Sequence, residues 1–275
     1  MIGVNSVLMQ CPCASHREPL LTAYDKGETD FRICPDCGIA FRERFPTKDE
    51  LEEIYRLAYA KENISGRNTN QESGSYAAKS YADFILNNLW VSGARVLDYG
   101  AGSGELVEYL RENGVDATGL EFSDNARQFC RLNRGFDLLA DLSEIPDGHF
   151  QVVSMVEVVE HLTDLPASLN ELRRVMAPGA SILVTTPNRK GLRARLQKGF
   201  WREAQKKFHL FLFDQDSLEF HLKASGFDEV KKIRFSPRQR ATLKYLISAR
   251  LMQALGLFGS LCVVAKRPKR NESEI

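Results

Sequence analysis

The chain has no apolar run approaching the ~20 residues that a bilayer-spanning helix needs. Its most apolar stretch, Tyr245 to Ala265, is broken by Arg250 and Gln253 and reads as an amphipathic helix followed by a strand. The opening MIGVNSVLMQ also lacks the charged flank and apolar core of a secretory leader. A soluble, cytoplasmic protein is therefore expected, with no transmembrane segment and with peripheral membrane contact left open. An excess of one charge is missing too, because 37 Lys+Arg face 36 Asp+Glu for a formal net charge of +1. Cysteine is sparse at 6 in 275 residues. Against these absences, a hydrophobic content of 43% is enough for one sizeable α/β core plus a small satellite module.

The run Val96 to Leu106 joins a short apolar strand to a helix through glycines at 100, 102 and 104. Such a turn lets backbone approach a ligand closely, and the helix start beyond it presents unpaired N–H groups. Dinucleotide-binding turns read G-x-G-x-x-G and hold a pyrophosphate. Here the spacing is G-x-G-x-G and the residue before it is Asp98. A carboxylate there repels phosphate and suits a ligand that carries an ammonium group. Ala117 to Phe122 reads as a second strand ending in Glu121, about twenty residues past the first glycine, where ribose-binding acids stand in doubly wound folds. Phe136 to Asp141 reads as a third strand, although Asp141 also suits capping the loop Ile145-Pro146-Asp147-Gly148. His149 to Val156 is a fourth strand, followed by the polar run Glu157 to His161. A helix over Leu165 to Met176 and a turn at Ala177-Pro178-Gly179 lead to a fifth strand, Ala180 to Asn188. Asp228 to Phe235 and Gly259 to Lys266 form late hairpin-like segments.

Val96 to Leu106 resembles motif I of the class I S-adenosylmethionine-dependent methyltransferases. That resemblance implies an α/β fold with a doubly wound, seven-stranded, mainly parallel sheet. It implies S-adenosylmethionine as cofactor, held by Asp98, Gly100, Ala101, Gly102 and Gly104 at its amino-acid end. Glu121 and Phe122 would meet the ribose side, and Asp141 with Leu142 the adenine. Val156 and Glu157 complete the set. The family commonly has aspartate where Gln151 stands, a departure outside the cofactor pocket. His161 is a candidate base, since an unperturbed imidazole titrates near 6.5; a helix-start histidine held for structure is the alternative. By the same resemblance, Trp201 and His209 line the acceptor pocket. Tyr59 or Tyr76 could close over the cofactor, or simply pack between helices.

Ahead of this domain, Cys11-Pro12-Cys13 and Cys34-Pro35-Asp36-Cys37-Gly38 bring cysteines together in pairs about twenty residues apart. Cys34-x-x-Cys37-Gly is a metal-binding knuckle. The first pair is one residue short of the usual spacing, so His16 is an alternative to Cys11, and two disulfides are the competing reading. In a reducing compartment thiolates more often hold metal, so Cys11, Cys13, Cys34 and Cys37 are expected to bind a structural zinc. Cys130 and Cys262 read as core filler. The expected organisation is a zinc-ribbon-like module over 1–47, a helical connector over 48–92 and a methyltransferase domain over 93–275, with an acceptor-site cap around 188–215. The whole is similar to zinc-ribbon methyltransferases that tailor sugars, polysaccharides and natural products.

Charge is unevenly placed. Residues 1–185 carry 17 Lys+Arg against 28 Asp+Glu, while residues 186–275 carry 20 against 8. The basic part falls where a cap would cover the acceptor, so a small, phosphorylated or otherwise anionic acceptor is expected, with O-methylation favoured. An RNA-associated or non-catalytic cofactor-binding protein is the alternative. Nucleic acid fits less well, because Glu157 to Leu162 is unlike the Asn-Pro-Pro-Tyr signature of many base-modifying methyltransferases.

Overall fold

The computed structural model describes residues 10–15, 17–21, 30–44, 46–47, 50, 53, 69–235 and 258–269. His16, Tyr59 and the segment 236–257, which includes most of the amphipathic helix expected after Tyr245, lie outside the described residues.

The main sheet begins with β4 (Arg95–Tyr99), β5 (Asp116–Leu120), β6 (Phe150–Val156) and β7 (Met176–Pro187), and ends with β9 (Asp228–Lys232) and β10 (Ser260–Lys266). Its order is β5-β4-β6-β7-β10-β9. Neighbours among β4 to β7 run parallel, whereas β10 is antiparallel to both β7 and β9. Seven strands were expected from the sequence, and six form the sheet among the described residues. The difference lies at Phe136 to Asp141, which meets β5 only through an isolated parallel bridge between Leu139 and Leu120. The expected turn at residues 177–179 lies inside β7. Phe150 pairs with Met176 and Val152 with Ser181, so the extra residues bulge out, helped by Gly179 at φ 80°.

Successive residues of each strand feed opposite faces of this sheet, as the period of two requires. Leu97, Val153 and Ile182 pack on one face with Leu165, Leu169, Leu172 and Val175. Val96, Val152 and Leu183 pack on the other with Tyr81, Ile85, Val107 and Leu110. Helices therefore cover both faces, which defines a doubly wound α/β fold. On the second face lie α1 (Thr69–Asn88) and α2 (Glu105–Glu112), followed in the chain by α3 (Asp124–Arg134). On the first lies α4 (Leu165–Val175), whose buried residues recur one and two turns apart. Asp164 caps α4 by accepting from the Ala167 N–H, and Ser123 caps α3 through the Ala126 N–H. Cys130 and Cys262 are buried in the second-face core. The exposed edge strand, Asp-Glu-Val-Lys-Lys, carries charges that discourage edge pairing.

A second sheet has the order β1-β2-β3-β8. Three of its strands come from the N-terminal segment, β1 (Leu20–Leu21), β2 (Phe31–Ile33) and β3 (Ala40–Arg42), and the fourth, β8 (Phe211–Leu212), from far along the chain. Between β7 and β8 run the short helices α5 (Leu192–Gln197) and α6 (Arg202–Gln205), and α7 (Gln215–Ala224) follows β8 behind an Asp214 capping box. Trp201, expected at an acceptor pocket, is buried with Phe31, Ala40, Ala204 and Leu212, where it packs the cap segment against the N-terminal sheet.

Candidate functional site

β4 leads through α2 to β5 on one side, and the chain then returns to β6 on the other side of β4. The crevice above the carboxyl ends of β4 and β6 is thus the topological switch point, where ligands of open α/β sheets bind.

The glycine loop is built on that edge. Gly100 and Ala101 donate their N–H groups to the Leu120 carbonyl at 2.8 Å, and Gly104 N–H bonds to the Ala101 carbonyl at 2.8 Å. Gly100 has φ 81°, and a Cβ there would stand 2.5 Å from a Val158 methyl, so backbone conformation and space both require glycine. Glu121 reaches back across the loop. Its carboxylate accepts from Gly102 N–H and from Ser123 N–H, each at 2.8 Å. Burial raises its carboxyl, and these backbone donors hold the charged form against that rise. Phe122 beside it is 55% exposed and meets the Tyr99 ring edge-on at 5.4 Å, which leaves an open aromatic shelf.

Asp98 lies deeper than a surface ligand would. It is 4% exposed, accepts from Ser154 Oγ at 2.8 Å, and is pushed up to about 7 by burial. Leu142 is buried, and its carbonyl accepts from Arg174 at 2.9 Å. Asp141 is exposed and folded into its own loop, accepting from the Ser143 N–H at 2.8 Å and from the Ser143 hydroxyl, which holds its carboxyl low. The capping alternative is what this side chain does here. Gln151, in place of the more usual acid, accepts from Arg95 N–H at 2.8 Å and so ties β6 to the start of β4.

Past Val156, which is half-buried, the chain adopts a strained backbone. Glu157 has φ 56° without being glycine, a conformation that costs energy and concentrates at functional positions. Its N–H is fixed by the Thr185 carbonyl at 3.0 Å, and its carboxylate accepts from Thr185 Oγ1 at 3.2 Å. The side chain is exposed, and the protein packed around it raises its carboxyl to about 7.

A short 3-10 turn, Val159–His161, follows. His161 Nδ1 lies 2.8 Å from the Phe208 carbonyl, so Nδ1 carries the proton and Nε2 keeps a free lone pair. Burial lowers its pKa and keeps the ring neutral. Its ring centroid is 4.7 Å from that of His209, a fully buried imidazole whose pKa burial depresses strongly. Glu160 is 1% exposed; one carboxylate oxygen accepts from Thr186 Oγ1 at 2.9 Å. His161, the candidate base, and His209, expected at the acceptor pocket, lie 48 positions apart in the chain and are thus brought together.

At the N-terminal sheet, the sulfurs of Cys11, Cys13, Cys34 and Cys37 all lie within 4.8 Å of one another. Cys11 Sγ is 3.3 Å from Cys13 and 3.4 Å from Cys37, and Cys13 is 3.5 Å from Cys34. All four are free thiols. A tetrahedral zinc with ~2.3 Å bonds places its sulfurs about 3.8 Å apart, so the donor set and its spacing fit that ion, while the competing pair of disulfides is not formed. Hydrogen bonding from Cys11, then His221, drives the Cys37 thiol down.

Several residues escaped the sequence reading. Ser154 beneath Asp98 looks like an ordinary strand residue. Glu160 was visible in the Glu-x-x-Glu-His run, but its partner His209 is set by tertiary folding. Arg42 left no local signal: buried, it donates to the carbonyls of His209 at 2.9 Å, Ala204 at 3.0 Å and Lys206 at 2.9 Å, and to Asp30 at 2.7 Å.

The architecture and crevice define a Rossmann-like cofactor-binding enzyme domain. Residues 73–232 match the family described as Methyltransferase domain. The chain belongs to that family, the S-adenosylmethionine-dependent methyltransferases. A ubiquinone biosynthesis O-methyltransferase of Xanthomonas oryzae pv. oryzae is 29% identical over 117 residues, 39% of this chain and 48% of the relative. A protein of the same name from Methylococcus capsulatus is 30% identical over 115 residues, 38% of this chain and 48% of the relative. The chain spans about half the length of these curated relatives. In fold it is similar to a SAM-dependent methyltransferase from Archaeoglobus fulgidus, with a TM-score of 0.54 and 21% identity over 76% of this chain and 99% of that one. The cyclase SpnF matches with a TM-score of 0.58 and 17% identity, over 82% of this chain and 98% of its own.

Proposed function

We propose that this protein transfers a methyl group from S-adenosylmethionine to an oxygen of a small acceptor molecule. The observation that carries the reading is the Glu121 carboxylate, joined to Gly102 N–H across a turn whose Gly100 admits no Cβ. Backbone and acid together offer a ribose diol a fixed acceptor beside an open shelf at Phe122. When bound, the cofactor supplies a sulfonium-activated methyl group, so the protein needs mainly to position the acceptor and take up its proton.

In this reading Gly100, Ala101, Gly102 and Gly104 cradle the amino-acid tail. Asp98 sets a negative potential beneath it. Glu121 and Phe122 meet the nucleoside, and Leu142 closes the adenine side with the loop that Asp141 shapes. Val156 and Glu157 form the floor next to the acceptor. His161, neutral and with Nε2 free, faces the acceptor hydroxyl with His209 behind it. The name carried by the curated relatives supports oxygen as the nucleophile. Arg193, Lys198 and Lys207 are exposed on the cap and support an anionic acceptor, whereas Arg189, Lys190 and Lys206 are engaged with Asp214, Asp216 and Glu203.

The four cysteines would hold one zinc. It supplies a closed, structural crosslink for an N-terminal segment too short to build a core by itself.

The test is transfer of radiolabel from methyl-labelled S-adenosylmethionine to a metabolite extract, with and without nuclease. Nuclease-resistant label in small molecules supports the reading; label that vanishes with nuclease supports an RNA acceptor. Cofactor binding with no acceptor in any extract would favour a non-catalytic role.

A further inference from the structure

His221 on α7 is 3% exposed, and its buried Nε2 makes no well-formed hydrogen bond among the described residues. Buried polar atoms are rarely left so. The helix face that carries it packs on the cysteine cluster, because Leu218 and Leu222 on either side share one core with Cys11, Cys34 and Cys37. The group its ring serves there is the Cys37 sulfur, whose thiolate form both His221 and the Ile39 N–H favour by hydrogen bonding. A neutral thiol is a weak acceptor, which leaves the ring nitrogen short of a partner; an ionised sulfur is a strong one. Four thiolates around a divalent ion carry a net double negative charge. Where Cys11, Cys34 and Cys37 are all buried, that charge needs N–H donors. The junction is held from a second side as well. Arg189 donates to the Gly38 carbonyl at 2.7 Å, next to Cys37, and also to Asp214, which caps α7.

We propose that His221 is a positioning residue of the cysteine site: with zinc bound, its ring N–H donates to the Cys37 thiolate and joins the site to α7 of the methyltransferase domain. This rests on the four-cysteine zinc reading above. A fifth ligand would exceed the tetrahedral set that the four sulfurs complete, so His221 acts through Cys37 and not on the ion directly. Contacts of this kind orient a ligand and strengthen the hold on the metal by about 10–100-fold. The zinc then crosslinks three stretches far apart in sequence, Cys11 to Cys13, Cys34 to Cys37 and α7, instead of the N-terminal segment alone.

The experiment compares the full-length chain with His221→Phe, which fills the space without a donor, and His221→Gln, which restores an N–H. Competition against a chromophoric chelator should show zinc held at least about tenfold more weakly in His221→Phe, with part of that loss recovered in His221→Gln. With Co2+ in place of zinc, the sulfur-to-metal charge-transfer band should move to lower energy in His221→Phe, because a thiolate without its hydrogen bond gives up electrons more readily. Wild-type affinity and an unshifted band in His221→Phe overturn the role of His221 and leave the zinc site standing. Weaker zinc binding without the band shift or the glutamine recovery marks a packing role and overturns it too. A wild-type chain that binds no zinc removes both the role and the site. If neither variant folds, the wild type still decides: loaded with an NMR-active cadmium isotope, it must show a scalar coupling between cadmium and the His221 ring N–H, and couplings confined to backbone and cysteine protons overturn the proposal.

Discussion

Arg42 on β3 donates from Nε to the backbone carbonyl of His209 at 2.9 Å, which links the N-terminal sheet to the histidine at the cleft. The same guanidinium lies 4.5 Å from the Phe31 ring and serves three further acceptors. Removing it leaves buried carbonyls unpaired. Arg42→Ala is expected to cost about 3 kcal/mol or more and to lower turnover, because the loop at 204–209 loses its anchor. Arg42→Lys cannot reproduce the fork and should rescue less than half of the stability. Denaturant melts of the three proteins check this; a lysine variant as stable as wild type would contradict it.

Asp98 gives the chain a pH dependence of definite sign. Burial raises its carboxyl from 3.8 to about 7 in the folded state. The folded protein therefore prefers it protonated. Its contribution to stability is complete below about pH 4 and is lost as pH rises through about 7, with a full span of roughly 4 kcal/mol. Asp98→Asn should stabilise the ligand-free chain by an amount that grows between pH 4 and 7 and then levels off. The same variant should weaken S-adenosylmethionine binding above pH 7, where the ionised acid faces a cationic tail. Thermal melts and calorimetry at pH 5 and pH 8 decide it, and a stability difference that does not change with pH would refute the assignment.

Glu121→Ala removes two charge-assisted hydrogen bonds that tie the glycine loop to the end of β5. Such bonds contribute about 1.5–3 kcal/mol each. S-Adenosylmethionine affinity should fall by at least about tenfold, and the chain should lose about 3 kcal/mol or more of stability because both loop donors are left unpaired. Unchanged affinity would remove Glu121 from the cofactor site.

For the cysteine cluster, elemental analysis should find one zinc per chain in protein purified without chelator. Cys34→Ser, or prolonged chelation, should abolish it and lower the melting temperature, since Ile39 and Phe41 pack in one core with Cys11, Cys34 and Cys37. Zinc-free protein of full stability would contradict a structural role.

Much of the fold was legible because it depends on local chemistry. The apolar strands that begin at Val96 and near His149, the helix from Leu165 and the glycine turn at 100–104 all follow from neighbours in sequence. What was not legible depends on pairing across the chain. Nothing within residues 1–47 says that their sheet is completed by Phe211 and Leu212. Phe136 to Asp141 has strand composition, but Asp141 bonds to Ser143 and turns the backbone away after a single bridge. Glu160 was in view as one letter of a motif, while its proximity to His209 comes from Leu210 N–H docking on its carbonyl.

The central claim is that the crevice above β4 and β6 accepts S-adenosylmethionine, and calorimetric titration of the purified chain tests it most directly. The account predicts one site per chain for S-adenosylmethionine and for S-adenosylhomocysteine, weakened by Glu121→Ala. No heat with either ligand, together with saturable binding of NADH or ATP, would contradict it.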